Sequence, residues 1–166
     1  DDKIAWYEND GSESFTAHTI TTAANRAYSV TTADVDGDGD LDVLSASVVD
    51  NKIAWYENDG SETFTAHTIT TAANYATSVT TADVDGDGDL DVLSASGADD
   101  KIAWYENDGS ETFTAHTITT AANGAYSVTT ADVDGDGDLD VLSASYNDDK
   151  IAWYDLGLSG ASAGVN

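Results

Sequence analysis

The stretch Asp34-Val35-Asp36-Gly37-Asp38-Gly39-Asp40-Leu41-Asp42 returns without a change as Asp83 to Asp91 and as Asp132 to Asp140. Each copy sets five carboxylates on alternate residues: Asp34, Asp36, Asp38, Asp40 and Asp42; Asp83, Asp85, Asp87, Asp89 and Asp91; Asp132, Asp134, Asp136, Asp138 and Asp140. Like charges this close repel, so a folded chain holds them in one tight turn only with positive charge among them. A hard cation is the simplest source. Calcium takes roughly six to eight oxygen ligands in a flexible shell, and carboxylates with every second residue free can curl around it. The expectation is about three Ca2+ ions per chain, one for each loop.

The spacing separates kinds of calcium loop. Asp34, Asp36 and Asp38 followed by Gly39 match the opening of an EF-hand, which also needs a bidentate Glu at its twelfth position. That position holds Ser45, Ser94 and Ser143 in the three copies. The loop finishes instead at its ninth position, on Asp42, Asp91 or Asp140, and its flanks read as strands rather than helices. The pattern D-x-D-x-D-G-x-x-D, with the flanks "SVTTADVDGDGDLDVLSAS" and "KIAWYENDGSETFTAHTIT", closely resembles the calcium loops and blades of the FG-GAP or VCBS repeat family. That family includes the β-propellers of integrin α subunits. The resemblance spans nearly the whole chain. It implies side-chain ligands at Asp34, Asp36, Asp38 and Asp42, a backbone carbonyl ligand at Asp40, and the same roles at the equivalent positions of the other two copies.

Working outward, Lys3, Lys52, Lys101 and Lys150 each open the same "KIAWY", a period of 49 residues. A period near 40 to 50 points to a stacked or circular repeat, the range of propeller blades. Each unit is rich in Val, Ile, Thr, Tyr and Trp, and it breaks at Gly, Asn and Asp clusters. That is an all-β signature. One unit reads as four strands: Ala27 to Ala33, Leu41 to Ser47, Lys52 to Glu57 and Thr63 to Ile69, with the acidic loop as the first turn. Small side chains in the first two strands suit a crowded centre. The third strand carries Ile53, Trp55 and Tyr56, large on both faces, as expected of a sheet packed between two others. The fourth, with Thr65, His67 and Thr70, reads as the polar outer edge. The fold expected is a β-propeller of four-stranded antiparallel blades, with repeats at about 3–51, 52–100 and 101–149. A surplus strand at 150–154 completes a unit of 1–155, and 156–166 reads as a flexible tail.

Three blades leave two uncovered flanks, since propellers typically close with about four to eight. Two chains joined head to tail would make six, so a homodimer closing a six-bladed ring is expected, with one of the duplicate "KIAWY" strands displaced at each junction. The alternative is an open monomeric arc.

Charge narrows the partners. The net charge is −27, and the loops carry 15 of the 32 acidic residues. One divalent ion per loop would offset only a small part of it. With five Lys and Arg in all, the chain is unsuited to nucleic acid or an anionic membrane surface, and no stretch is long and apolar enough for membrane insertion. There is no Cys, hence neither disulfide nor thiolate metal site. Weak extracellular calcium modules work where calcium is plentiful, so an extracellular or cell-surface, secreted location is expected.

An active site is a single asymmetric constellation, and these copies differ at few places. The differences fall at Arg26, Tyr75 and Gly124; at Tyr28, Thr77 and Tyr126; and at Val48-Val49, Gly97-Ala98 and Tyr146-Asn147. Minor ones occur at Ser14 and Asn51, and the main differences lie in connections expected on the rim opposite the acidic loops. No acid and base pair, Ser-His-Asp set or phosphate-cradling loop stands out, so the reading is non-enzymatic. Arg26, Tyr28, Tyr75, Tyr126 and Tyr146 are the candidate contacts for a glycan or an extracellular protein, which gives a binding or adhesion scaffold. His18, His67 and His116 repeat on separate blades and read as solvated edge residues. Two other readings remain: an engineered or recently amplified array of identical blades with no ligand, and a polysaccharide-cleaving enzyme domain.

Overall fold

A computed structural model of the chain describes residues 2–158, and the rest of the anticipated tail, 159–166, lies outside the described residues. Thirteen strands follow one another, with no helix among the described residues: β1 Ile4–Asn9, β2 Phe15–Thr21, β3 Ala27–Ala33, β4 Asp42–Ser47, β5 Lys52–Asn58, β6 Phe64–Thr70, β7 Ala76–Ala82, β8 Asp91–Ser96, β9 Lys101–Asn107, β10 Phe113–Thr119, β11 Ala125–Ala131, β12 Asp140–Ser145 and β13 Lys150–Tyr154. Each strand starts and ends within a residue of its expected position. They form four antiparallel sheets, β1-β2, β3-β4-β5-β6, β7-β8-β9-β10 and β11-β12-β13. The two complete sheets are four-stranded propeller blades in an all-β fold, and the arc they build is open at both ends.

Hairpin chemistry explains the repetition. Between β3 and β4 the chain reverses through Gly37 and Gly39, whose φ values of 76° and 97° fit a residue without Cβ. The turns after β4 and β8 end on Asn51 and Asp100 in the left-handed region (φ 55° and 56°), which short Asx side chains tolerate. Their side chains do more than turn. Asn51 Oδ1 accepts from the Tyr75 N–H at 2.9 Å, and Asp100 Oδ1 from the Gly124 N–H at 2.8 Å, so each turn clips the entry of the next sheet. Asp2 Oδ1 holds the Arg26 N–H in the same way, at 2.9 Å.

Innermost strands β3, β7 and β11 lie against one another in succession. Further out, neighbouring sheets mesh by one rule. The Ile and Trp of a third strand pack against the Ala and Tyr of the next: Ile53 and Trp55 share a core with Ala103 and Tyr105, and Ile4 shares one with Ala54 and Tyr56. Alternation along the strand puts those pairs on opposite faces. Both faces of β5 and β9 are consequently buried, as the aromatic strand pattern implied.

Candidate metal centres

The acidic loops begin as backbone turns stabilised by their own side chains. In the first, Asp34 Oδ2 accepts from the Gly39 N–H at 3.1 Å, Asp36 Oδ1 from Asp38 N–H at 3.1 Å and Asp38 Oδ1 from Asp40 N–H at 2.8 Å. The second and third loops repeat these bonds. Carboxylate oxygens of Asp34, Asp36 and Asp42 come within 4.8 Å of one another, as do those of Asp83, Asp85 and Asp91. In the third loop the grouped residues are Asp132, Asp134 and Asp136. Asp38, Asp40, Asp87 and Asp89 stand outside the trios of their loops, as Asp138 and Asp140 do in the third. The Asp40 carboxylate lies against Gly60, and that of Asp89 against Gly109.

The ninth-position aspartate ties the loop to the sheet. Asp42, fully buried, accepts from Val35 N–H at 3.0 Å through Oδ2 and from Asn58 N–H at 2.8 Å through Oδ1. Asp91 does the same with Val84 and Asn107, at 2.9 and 2.8 Å. Burial pushes the Asp91 carboxyl up to about 6 despite these two amides. Burial likewise raises Asp36 and Asp85, helped by neighbouring carboxylates. Without a cation, then, burial opposes ionisation of Asp36, Asp85 and Asp91; a divalent ion beside them would reverse that preference. Asp34 Oδ1 is buried with no hydrogen-bond partner, an oxygen free to coordinate. The donors are all oxygen, which suits a hard ion such as calcium or magnesium, and the residues present fit such an ion.

A family model described as an FG-GAP-like repeat matches residues 1–45, 34–94 and 83–143. The chain belongs to the FG-GAP-like repeat family. No curated protein matches the chain in sequence. The second and third matches each run from one acidic loop through the next, so the strands that carry the loops belong to the repeat as much as the loops do.

On the opposite rim of this FG-GAP-like array, the varied connections surround a cavity of about 380 Å³ lined by Tyr28, Tyr75, Thr77, Tyr126, Tyr146 and Asn147 with small residues between. Four of the five residues singled out for recognition therefore meet. Arg26 does not join them; its backbone serves the clip to Asp2. The Tyr28 and Tyr126 hydroxyls are 3.0 Å apart and their rings meet edge-on at 5.9 Å, bridging β3 and β11.

The histidines depart from the expectation of solvated edge residues. His18, His67 and His116 stack on Trp6, Trp55 and Trp104 with ring centroids 4.2, 4.4 and 4.5 Å apart. Each Nε2 also lies 2.7 to 3.0 Å from a Glu carboxylate on the paired strand, at Glu8, Glu57 and Glu106. Cross-strand register brings the three groups together, Trp55 opposite His67 among them. Sequence reading also missed Asn107, whose buried amide donates to Leu90 O at 3.3 Å and, across to the preceding sheet, to Val35 O at 3.2 Å. Nothing in a local window signals a bond that joins residues 72 apart.

Proposed function

We propose that this chain is a calcium-stabilised propeller module, non-enzymatic and extracellular, that closes its ring with a second copy and presents a binding rim for a glycan or a protein. The observation that carries the reading is a division of labour between rims. The acidic rim is identical in all copies and gathers carboxylates into oxygen-only trios, while the opposite rim collects residues the copies do not share around one tyrosine-lined cavity. Calcium at Asp34, Asp36, Asp38 and Asp42, with the Asp40 carbonyl, and at the equivalent sets of the other loops, stabilises the folded state by binding it in preference to the unfolded chain. Tyr28, Tyr75, Tyr126 and Tyr146 offer flat faces on which a sugar ring stacks, with hydroxyls at their edges for its polar groups. No helix of the described residues is long and apolar enough to cross a membrane, and FG-GAP-like repeats with weak calcium sites suit the outside of the cell.

Glycan-array binding tests this directly. Binding is expected in calcium, lost in chelator, and lost in Tyr28→Ala and Tyr126→Ala variants that still melt cooperatively. Binding that survives both substitutions would remove the tyrosine rim from the account. A second reading, an amplified or engineered array with no ligand, is favoured by the Tyr28–Tyr126 hydroxyl contact, since a pair that satisfies itself needs nothing else. An array empty of hits, with both variants less stable than the parent, would select it.

A further inference from the structure

Resting on the ring-closure reading, the geometry points to a specific exchange: β13 holds a place that the β1-β2 hairpin of a second copy takes, and this exchange completes the third acidic loop. Three sets of observations converge on it.

Residues exposed at the two ends of the arc are the ones that meet each other inside it. Val79 and Val128 on β7 and β11 are 4% exposed, whereas Val30 on β3 is 59% exposed. Val79 is covered by Ala33, Val35, Leu44 and Ala46 of the preceding sheet. Val30 has no such sheet, because its predecessor β1-β2 lacks the two inner strands. The equivalent covering residues at the far end, Ala131 and Val133, are exposed, and Leu142 and Ala144 are half-buried. Laying β11 and β12 of one copy beside β1 and β2 of another therefore builds one complete four-stranded sheet and covers Val30.

Loop three lacks what the hairpin carries. Asp42 and Asp91 each hold two backbone amides, but among the described residues Asp140 has only the Val133 N–H, at 2.8 Å. The missing donor is the backbone N–H that Asn58 and Asn107 supply from the end of a third strand; the equivalent residue, Leu156, lies past the end of β13 and makes no such bond among the described residues. In the second copy's hairpin it is Asn9. Likewise Gly60 and Gly109 sit against Asp40 and Asp89, whereas Gly11 has open space, waiting for an Asp138. The first six residues of the third loop are exposed, while Asp34 and Asp36, and Asp83 and Asp85, are half-buried.

Of the two duplicate strands, β13 is the one equipped to leave. Its Ile151 and Trp153 are 76% and 47% exposed. After Tyr154 the sequence departs from the repeat, and among the described residues β13 is paired with no fourth strand and carries no Trp-His-Glu set. Tyr154, Leu156 and Leu158 shield the sheet behind them, acting as a temporary cover. By contrast β1 is paired to β2, buries Ile4 against the next sheet, and is clipped there by Asp2. The force against exchange is the −27 charge on each copy, which calcium in the junction loops moderates.

Because the chain has no Cys, engineered pairs report the register without background. The β4-β5 pairing sets Ser45 opposite Ala54, and β12-β13 sets Ser143 opposite Ala152. Exchange would place Ala5 of the second copy opposite Ser143. A Ser143→Cys, Ala5→Cys variant oxidised in calcium is therefore expected to run as a covalent dimer of twice the 17.3 kDa chain mass. A Ser143→Cys, Ala152→Cys variant, oxidised at high dilution, locks β13 in place and is expected to remain a monomer by light scattering, with titration showing two calcium ions per chain instead of the parent's three. A locked variant that still dimerises would overturn the exchange while leaving ring closure standing. A parent that stays monomeric in calcium at all concentrations would overturn ring closure itself.

Discussion

Trp55 and Trp104 are 1% and 7% exposed, and Trp153, in the same pentapeptide "KIAWY" on the same kind of strand, is 47% exposed. Inner sheets and flanks are chemically the same. What differs is the neighbour. The strand itself is decided locally, by β-branched and aromatic residues between turn signals, whereas burial is decided by whether another sheet lies alongside. Repeat proteins have this property generally: stability is close to a sum of units and their interfaces, so identical units at an end and in the middle carry different energies.

The largest break in that comparison is expected from metal. Removing calcium with excess chelator should destabilise the protein by about 2.7 kcal/mol for each site held at 100-fold over its Kd, or about 5 kcal/mol for the two half-buried loops. A thermal melt with and without chelator measures it, and a melting temperature that does not move would remove calcium from the account. The contrast between the first two loops and the third is sharpened by stepwise titration, with the half-buried loops filling first.

Next comes the indole. Trp55→Ala or Trp104→Ala empties a packed position between two sheets and is expected to cost about 3 to 5 kcal/mol in urea unfolding. Trp153→Ala removes a ring that no sheet covers and is expected to cost under about 1 kcal/mol. Equal losses at all three positions would mean that the flank at β13 is buried in solution.

Those two predictions rest on features that differ in how plainly the sequence displays them. Asp34 and Asp36, with their counterparts in all three loops, come together because they sit at fixed offsets in a nine-residue turn with the glycines that allow it; Asp42 and Asp91 join them in the two loops that another sheet flanks, and Asp140 does not. Such a site is local and can be read from a line of text. The strand boundaries came within a residue for the same reason. The Trp55-His67-Glu57 set could be missed because it depends on the register between two strands, which runs unbroken from the turn at Asn58 and Phe64 to Ala54 and Thr68. The tyrosine cavity was legible only as a shared rim; that Tyr28 and Tyr126, 98 residues apart, would touch and Arg26 would stay out follows from the curvature of the arc. Legibility falls with the number of intervening elements whose geometry must be known.

Asn107 and Asn58 offer the smallest and most discriminating test, because here the same residue has a different set of partners. Asn107 Nδ2 donates both to its own sheet at Leu90 O and to the preceding loop at Val35 O, and its Oδ1 accepts from the Gly109 N–H at 3.3 Å. Replacing it with Leu leaves the Val35 carbonyl without that donor and is expected to cost about 1 to 3 kcal/mol. Asn58 reaches only Leu41 O, at 3.2 Å, and its Oδ1 is buried with no partner. Asn58→Leu gives up one weak bond and also removes an unsatisfied oxygen, so the two effects offset and the change should stay within about 1 kcal/mol. The chain already makes this replacement, with Leu156 at the equivalent position of its last repeat. If the arc is covered by a second copy, the Asn58 amide gains the Val133 carbonyl that corresponds to Val35, and its substitution should then cost as much as that of Asn107. Measured by urea unfolding across protein concentration, the gap between the two variants closes as the flank is covered and persists where it is open.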